Sequence, residues 1–137
     1  MSRRKSGRST VAQRHNGFNR ALVFLIDWPA LARAAQVVLD RADEVDGDRY
    51  EVLTPAADAL QEKHPLAATL LRRALIDFAL DRARVKRYRH AARNFQQCKS
   101  AATVIEDFGR FDTHETFERR LKSKHGRKSA FWERVGE

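Results

Sequence analysis

Apolar residues recur at intervals of three and four along most of the chain, the spacing of helices that bury one face. Leu31, Ala34, Ala35, Val38, Ala42 and Val45 share such a face, which predicts a helix running to about Val45 and stopping at the turn signal Asp46-Gly47-Asp48. Thr54-Pro55 predicts the next start, with Thr54 as cap, Pro55 at the first helical position and Asp58 at the positive end of the helix dipole. That helix is expected to end by His64. Pro65 then opens a longer one with Leu66, Leu70, Ala74, Leu75 and Phe78 facing inward, and with Arg73 and Asp77 as an ion pair on its outer side. After about Val85 the stripe resumes at Tyr88, Ala91, Ala92, Phe95, Cys98, Ala102 and Ile105, a pattern that suits either a separate helix or one bent rod. Phe108 to Phe111 reads as a connection. Asp112 to Glu115 reads as a capping-box variant, opening a helix with Phe117 and Leu121 inward that ends at Gly126. Phe131, Trp132 and Val135 occupy a last short turn, and a short helix from Phe18 to Asp27 precedes Pro29.

Helical spacing without any strand pattern predicts an all-α fold of stacked antiparallel helix hairpins, solenoid-like in architecture although no strict repeat is visible. A length of 137 residues suits one domain, expected over residues 18–137 and centred on Leu70, Leu75, Phe78, Tyr88 and Phe95. Residues 1–17 carry almost nothing apolar and are expected to form a disordered basic arm. If preceding hairpins are missing, Leu22, Phe24, Leu25 and Ile26 make a sticky face that favours self-association.

Charge changes this picture, because the net +9 is unevenly placed. Arg3, Arg4, Lys5, Arg8, Arg14 and Arg20 stand in the first twenty residues with no acid among them. Residues 27–62 hold nine acids against three bases, whereas residues 82–105 hold seven bases and no acid. Nucleic acid or an acidic surface would meet the arm first. The longest apolar run, Ala21 to Ile26, is far short of the roughly 20 residues of a membrane span. It also follows Arg3-Arg4 at the wrong spacing for an export leader, so no membrane and a cytoplasmic location are expected. The single cysteine, Cys98, agrees with a reducing compartment.

Candidate chemistry is sparse. Asp107-Phe108-Gly109 matches the magnesium-positioning tripeptide of protein kinases but lacks the glycine-rich loop, the lysine and the catalytic loop that give it meaning. His15, His64, His90, His114 and His125 do not fall in the paired close spacing of a zinc site. Cys98 lies on an apolar stripe, which makes it a core thiol rather than a nucleophile. With no phosphate loop and no nucleophile elbow, neither an enzyme nor a cofactor is expected. The functional-looking surface is basic: Arg82, Lys86, Arg89 and Arg93 share one face if the helix is continuous, with His90 alongside. Together with Arg3, Arg4, Lys5 and Arg8 they are the candidate anion or nucleic-acid contacts; the plainer reading is a solvated face, or one paired with the acidic 40–51 region. Lys122, Lys124, Arg127 and Lys128 make a second basic run.

Five blocks carry a resemblance: Trp28 to Leu31, Leu53 to Leu60, His64 to Leu71, Tyr88 to Ala92 and His125 to Trp132. They resemble the C-terminal helical part of an uncharacterised proteobacterial family with a domain-of-unknown-function label, and, more weakly, the endings of some SWIM-type zinc-finger proteins. The resemblance covers residues 28–135. It implies an α-helical scaffold without an active site, and a shortened copy, the end-cap of a longer helical-repeat protein. The function expected from residues and resemblance together is a helical scaffold that binds a protein partner; the alternative is a small basic nucleic-acid-binding protein.

Overall fold

The computed structural model describes residues 17–24 and 30–136, and no strand occurs among them. The chain is all-α. Helix α1 covers residues 17–24, α2 Leu31–Asp40, α3 Tyr50–Leu60, α4 Pro65–Asp81, α5 Tyr88–Ala102, α6 His114–His125 and α7 Ser129–Val135. Residues 1–16 of the expected disordered arm, and the stop at Asp27 to Pro29, lie outside the described residues; Gly17, expected in the arm, instead begins α1.

α4 is the axis of the fold, packed against α2, α3 and α5. Its first turn is built as expected, with Pro65 where a missing N–H costs nothing. Its burial differs from the expected stripe. Ala67, Ala68, Thr69, Leu71, Arg72, Ile76, Ala79 and Leu80 are buried as well as Leu70 and Leu75, whereas Phe78 is only half-buried. Helices pack on several sides of α4, so a single inward stripe does not describe it. Arg73 is correspondingly buried, and Asp77 pairs with Arg120 of α6 at 3.1 Å instead of with Arg73.

Residue pairs give the directions. Cys98 Sγ lies 3.9 Å from Thr69 O, and Arg72 Nη1 lies 3.0 Å from Asn94 Oδ1, so α5 runs antiparallel to α4. Asp77 meets Arg120 and Asp81 meets His125, so α6 runs alongside the end of α4 in the same direction. α7 follows α5, with Tyr88 against Phe131 and Gln96 donating to Val135 O.

Four expected boundaries move, each for a local reason. α5 stops at Ala102, where the Thr103 hydroxyl donates to Ser100 O, so that Ile105 lies beyond the helix. α2 ends at Asp40 because Arg41 leaves helical geometry and its guanidinium donates twice to Glu44, closing the 3-10 turn Ala42–Glu44; Ala42 and Val45 still pack on the core. α3 starts at Tyr50, placing Pro55 inside the helix rather than at its start. The earlier turn is held by Leu53, which is fully buried, and by the Asp46 carboxylate accepting from Asp48 N–H. The cap of α6 is Thr113, whose hydroxyl accepts from Thr116 N–H, so the expected Asp112 to Glu115 pairing is shifted by one residue.

The rod is broken between α4 and α5. Arg84 N–H bonds to Ala79 O and Ala83 N–H to Leu80 O, a Schellman ending in which Ala83 takes the left-handed conformation (φ 51°) that glycine usually fills. The opposite demand is met at Gly47, where a Cβ would collide with the Ala74 carbonyl; only glycine lets this turn lie against α4.

Buried residues form two clusters that α4 joins. The first unites Phe18, Leu22, Val38, Leu53, Leu60 and Leu71. The second unites Ile76, Leu80, Tyr88, Phe95, Phe117, Leu121 and Phe131. Phe95 is the hub of the second, with His114, Phe117, Phe131 and Trp132 ring centroids 5.0 to 6.4 Å away. Leu22 belongs to the core rather than to a sticky face; Phe24 is exposed, and Leu25 and Ile26 lie outside the described residues.

Candidate interaction cleft

The break at Ala83 splits the expected basic ridge. Arg82 remains at the end of α4, its guanidinium 5.3 Å from the Phe78 ring centre, with Arg84 and Arg87 at 5.8 and 5.2 Å from the same ring. Three arginines around one aromatic ring explain why Phe78 sits at the rim. Lys86, in the 3-10 turn Val85–Arg87, and Arg89 and Arg93, on the exposed side of α5, are brought together without Arg82. Arg3, Arg4, Lys5 and Arg8 lie outside the described residues.

What the break creates is a cleft of about 660 Å³ between α3 and α5. Lys86, Arg87, His90 and Arg93 line it from the α5 side; Glu51, Thr54, Pro55 and Asp58 line it from α3. Arg72 reaches its floor from α4, 2 % exposed, with all three guanidinium nitrogens held: Nε by Gln61 Oε1 at 3.1 Å, Nη1 by Asn94 Oδ1 and Nη2 by Asp58 Oδ1, each at 3.0 Å. Three elements are tied at this one cation. A buried charge is tolerable only with such full pairing.

The two walls differ electrostatically. On the α3 side both acids are engaged, Asp58 by Arg72 and Glu51 by Arg49 at 2.8 Å. The Glu51 carboxyl is held below the usual range by its own backbone amide and then by the Arg49 guanidinium. On the α5 side Arg87 lies over the Tyr50 ring at 5.0 Å, with Nη1 3.0 Å from Asp48 but off the line of a hydrogen bond. The expected pairing of the basic stretch with the acidic 40–51 region is thus seen at Arg87 and Asp48. Lys86, Arg89 and Arg93 have no carboxylate within ion-pair distance among the described residues.

A smaller cleft of about 310 Å³ adjoins it and is lined by Val85, Lys86, Arg89, His90 and Arg134. Lys86 and His90 border both.

Cys98, His114 and Arg73 are sequestered. Burial pushes the Cys98 thiol up to about 12, and the sulfur faces the Thr69 carbonyl. His114 is buried with both ring nitrogens unbonded, its Nε2 3.5 Å from Glu118, and burial lowers its proton affinity. Arg73 stacks on Phe117 at 4.8 Å, and burial lowers it too. Among the described residues no three His, Cys, Asp or Glu side chains converge as a metal site, and no helix is long and apolar enough to cross a membrane.

Arg72, Asp58 and Asn94, the centre of the cleft, escape the apolar spacing. Their one sequence signal is a doubled arginine, Arg72-Arg73, flanked by Leu70-Leu71 and Ala74-Leu75-Ile76.

Comparison with curated proteins and with solved structures gives no match to this chain. A family model does match, over residues 6–134, and it spans the hairpins, both core clusters and both clefts. The chain belongs to the family of unknown function DUF6880.

Proposed function

We propose that this protein is a non-enzymatic, cytoplasmic interaction module that holds an acidic segment of a protein partner in the cleft between α3 and α5. One observation carries the reading: Lys86 and Arg93, which have no carboxylate within ion-pair distance among the described residues, face a wall whose acids are already paired, across a floor fixed by Arg72. Acidic side chains of a partner would find Lys86 and Arg93. Thr54, Asn94 and Gln97 offer hydrogen bonds to its backbone, and Tyr50, Pro55 and Leu75 offer apolar contact. The absence of catalysis is supported by the burial of Cys98 and His114. A single buried thiol supports the cytoplasmic location.

The α3 wall argues against the alternative, a nucleic acid bound along the same surface, because its lining residues include no cation to neutralise a phosphate at every unit. The arm residues Arg3, Arg4, Lys5 and Arg8 are the better place for such binding.

Selection of displayed random peptides on the immobilised full chain tests this reading, followed by anisotropy with the synthetic winners. Acidic sequences are expected, with affinity falling about tenfold on Lys86→Glu or Arg93→Glu, a loss of roughly 1.4 kcal/mol. Selection without acidic enrichment, combined with tight binding of duplex or single-stranded DNA at about 50 mM salt, would overturn it.

A further inference from the structure

Four basic side chains converge on the smaller cleft: Lys86 from the 3-10 turn, Arg89 and His90 from α5, and Arg134 from α7. Its only other lining residue among those described is Val85, so no acid shares it. Neither Lys86, Arg89 nor Arg134 has a carboxylate within ion-pair distance among the described residues. Like charges gathered from two helices and a turn repel one another, and no such partner offsets that repulsion.

The placement is costly in a second way. Arg89 and His90 stand in the first turn of α5, Arg87 is its cap residue without a capping hydrogen bond, and the first turn contains no acid. A helix favours acids there and disfavours cations, because its backbone dipole is positive at that end. α5 thus carries the wrong sign of charge at its start, beside further cations from elsewhere. One anion in the cleft would relieve both costs.

We propose that this cleft binds a phosphate group, and that the phosphate belongs to a phosphorylated side chain on the segment held in the adjoining cleft. The second half rests on the interaction reading above. A phosphate monoester carries between one and two negative charges near neutral pH and has three acceptor oxygens, matching a converging set of donors that a single carboxylate would leave partly unused. A volume of about 310 Å³ accommodates the group. The two clefts share Lys86 and His90, so a segment in the larger one passes directly beside the smaller. The α3 wall of the larger cleft, with no cation among its lining residues, favours a segment with one phosphate over a polymer with one at every unit.

The test measures binding of four probes to the full chain: a short acidic peptide with one phosphoserine, its unphosphorylated counterpart, inorganic phosphate, and a single-stranded oligonucleotide. The phosphopeptide is expected to bind about tenfold or more tighter than its counterpart. That ratio should collapse towards one in the double variant Arg89→Glu, Arg134→Glu, whose fold is checked by circular dichroism and thermal melting. Arg89 lines the smaller cleft and Arg93 the larger, so the control Arg93→Glu should weaken both peptides and preserve much of the ratio.

Equal affinity for the two peptides, or a ratio that survives the double variant, would overturn the proposal. If neither peptide binds while inorganic phosphate shifts the His90 ring resonances in the wild type and not in the double variant, the phosphate site stands and the segment-binding reading fails. If the oligonucleotide binds through Arg89 and Arg134 more tightly than the phosphopeptide, the assignment to a phosphorylated segment is overturned.

Discussion

The Asp81 carboxylate, at the last residue of α4, lies 2.9 Å from His125 Nε2, at the last residue of α6. Lys124 Nζ reaches the same oxygen at 3.0 Å, and the His125 carbonyl accepts from Trp132 Nε1 at 2.9 Å. Two helix ends and α7 are joined at this point. Burial pushes the Asp81 carboxyl up, but hydrogen bonds from Lys124 and His125 outweigh it and hold the group below its ordinary value. A depressed carboxyl contributes stability that is present above its unfolded value of about 3.9 and lost as pH falls through the folded one. Asp81→Asn is therefore expected to cost about 1 kcal/mol at neutral pH, discounted for partial exposure, and to cost little in strong acid. Urea unfolding at both pH values checks it.

His114 gives a second dependence on pH, of the same sign. It is faced by Glu118 and Glu115 of its own helix, by Arg73 of α4 and by Lys99 of α5, and burial disfavours its charged form. The unfolded chain binds the proton more readily, so the stability His114 allows is complete above about pH 6.5 and is lost as pH falls through the lower folded value. Melting curves of the wild type and of His114→Leu should diverge below that pH, the wild type losing more. Parallel curves would remove His114 from the account.

Ala83 offers a stabilising change. Its left-handed backbone costs a residue with a Cβ on the order of 1 kcal/mol, which glycine avoids at the price of a more flexible unfolded chain. Ala83→Gly is expected to raise the melting temperature slightly, and a fall would show that the Schellman geometry is not kept in solution.

Cys98 is expected to resist alkylation in the native state. A thiol pushed up to about 12 holds almost no thiolate at neutral pH, and it is 1 % exposed. Iodoacetamide labelling followed by mass spectrometry should show modification only where denaturant opens the chain; rapid native labelling would contradict its place in the core.

The sequence pattern reveals helices better than it reveals how they meet. Spacing finds α5 and α6 well, because each buries one face: Tyr88, Ala91, Ala92, Phe95 and Cys98 on the one, Phe117 and Leu121 on the other. It misreads α4, since a helix with neighbours on several sides has no single stripe, and Phe78 looks like core when it is the platform for three arginines. Pro55 misleads in the same way: a proline that often opens a helix is carried inside one when Leu53 anchors the preceding turn. The cleft is legible in its bases and not in its shape. Lys86, Arg89 and Arg93 are plain in the charge count, but the break that separates them from Arg82 depends on a left-handed alanine, and the Arg72 clamp depends on three residues far apart in sequence.

Because α4 supplies Leu70, Leu71 and Leu75 to one core cluster and Ile76, Ala79 and Leu80 to the other, neither half can come apart without stripping that helix. Partial opening at either end leaves one side of α4 still covered. Its central backbone amides, from Leu71 to Leu80, are thus expected to exchange with deuterium only when the whole chain unfolds, while those of α1 and α7 exchange through local fraying.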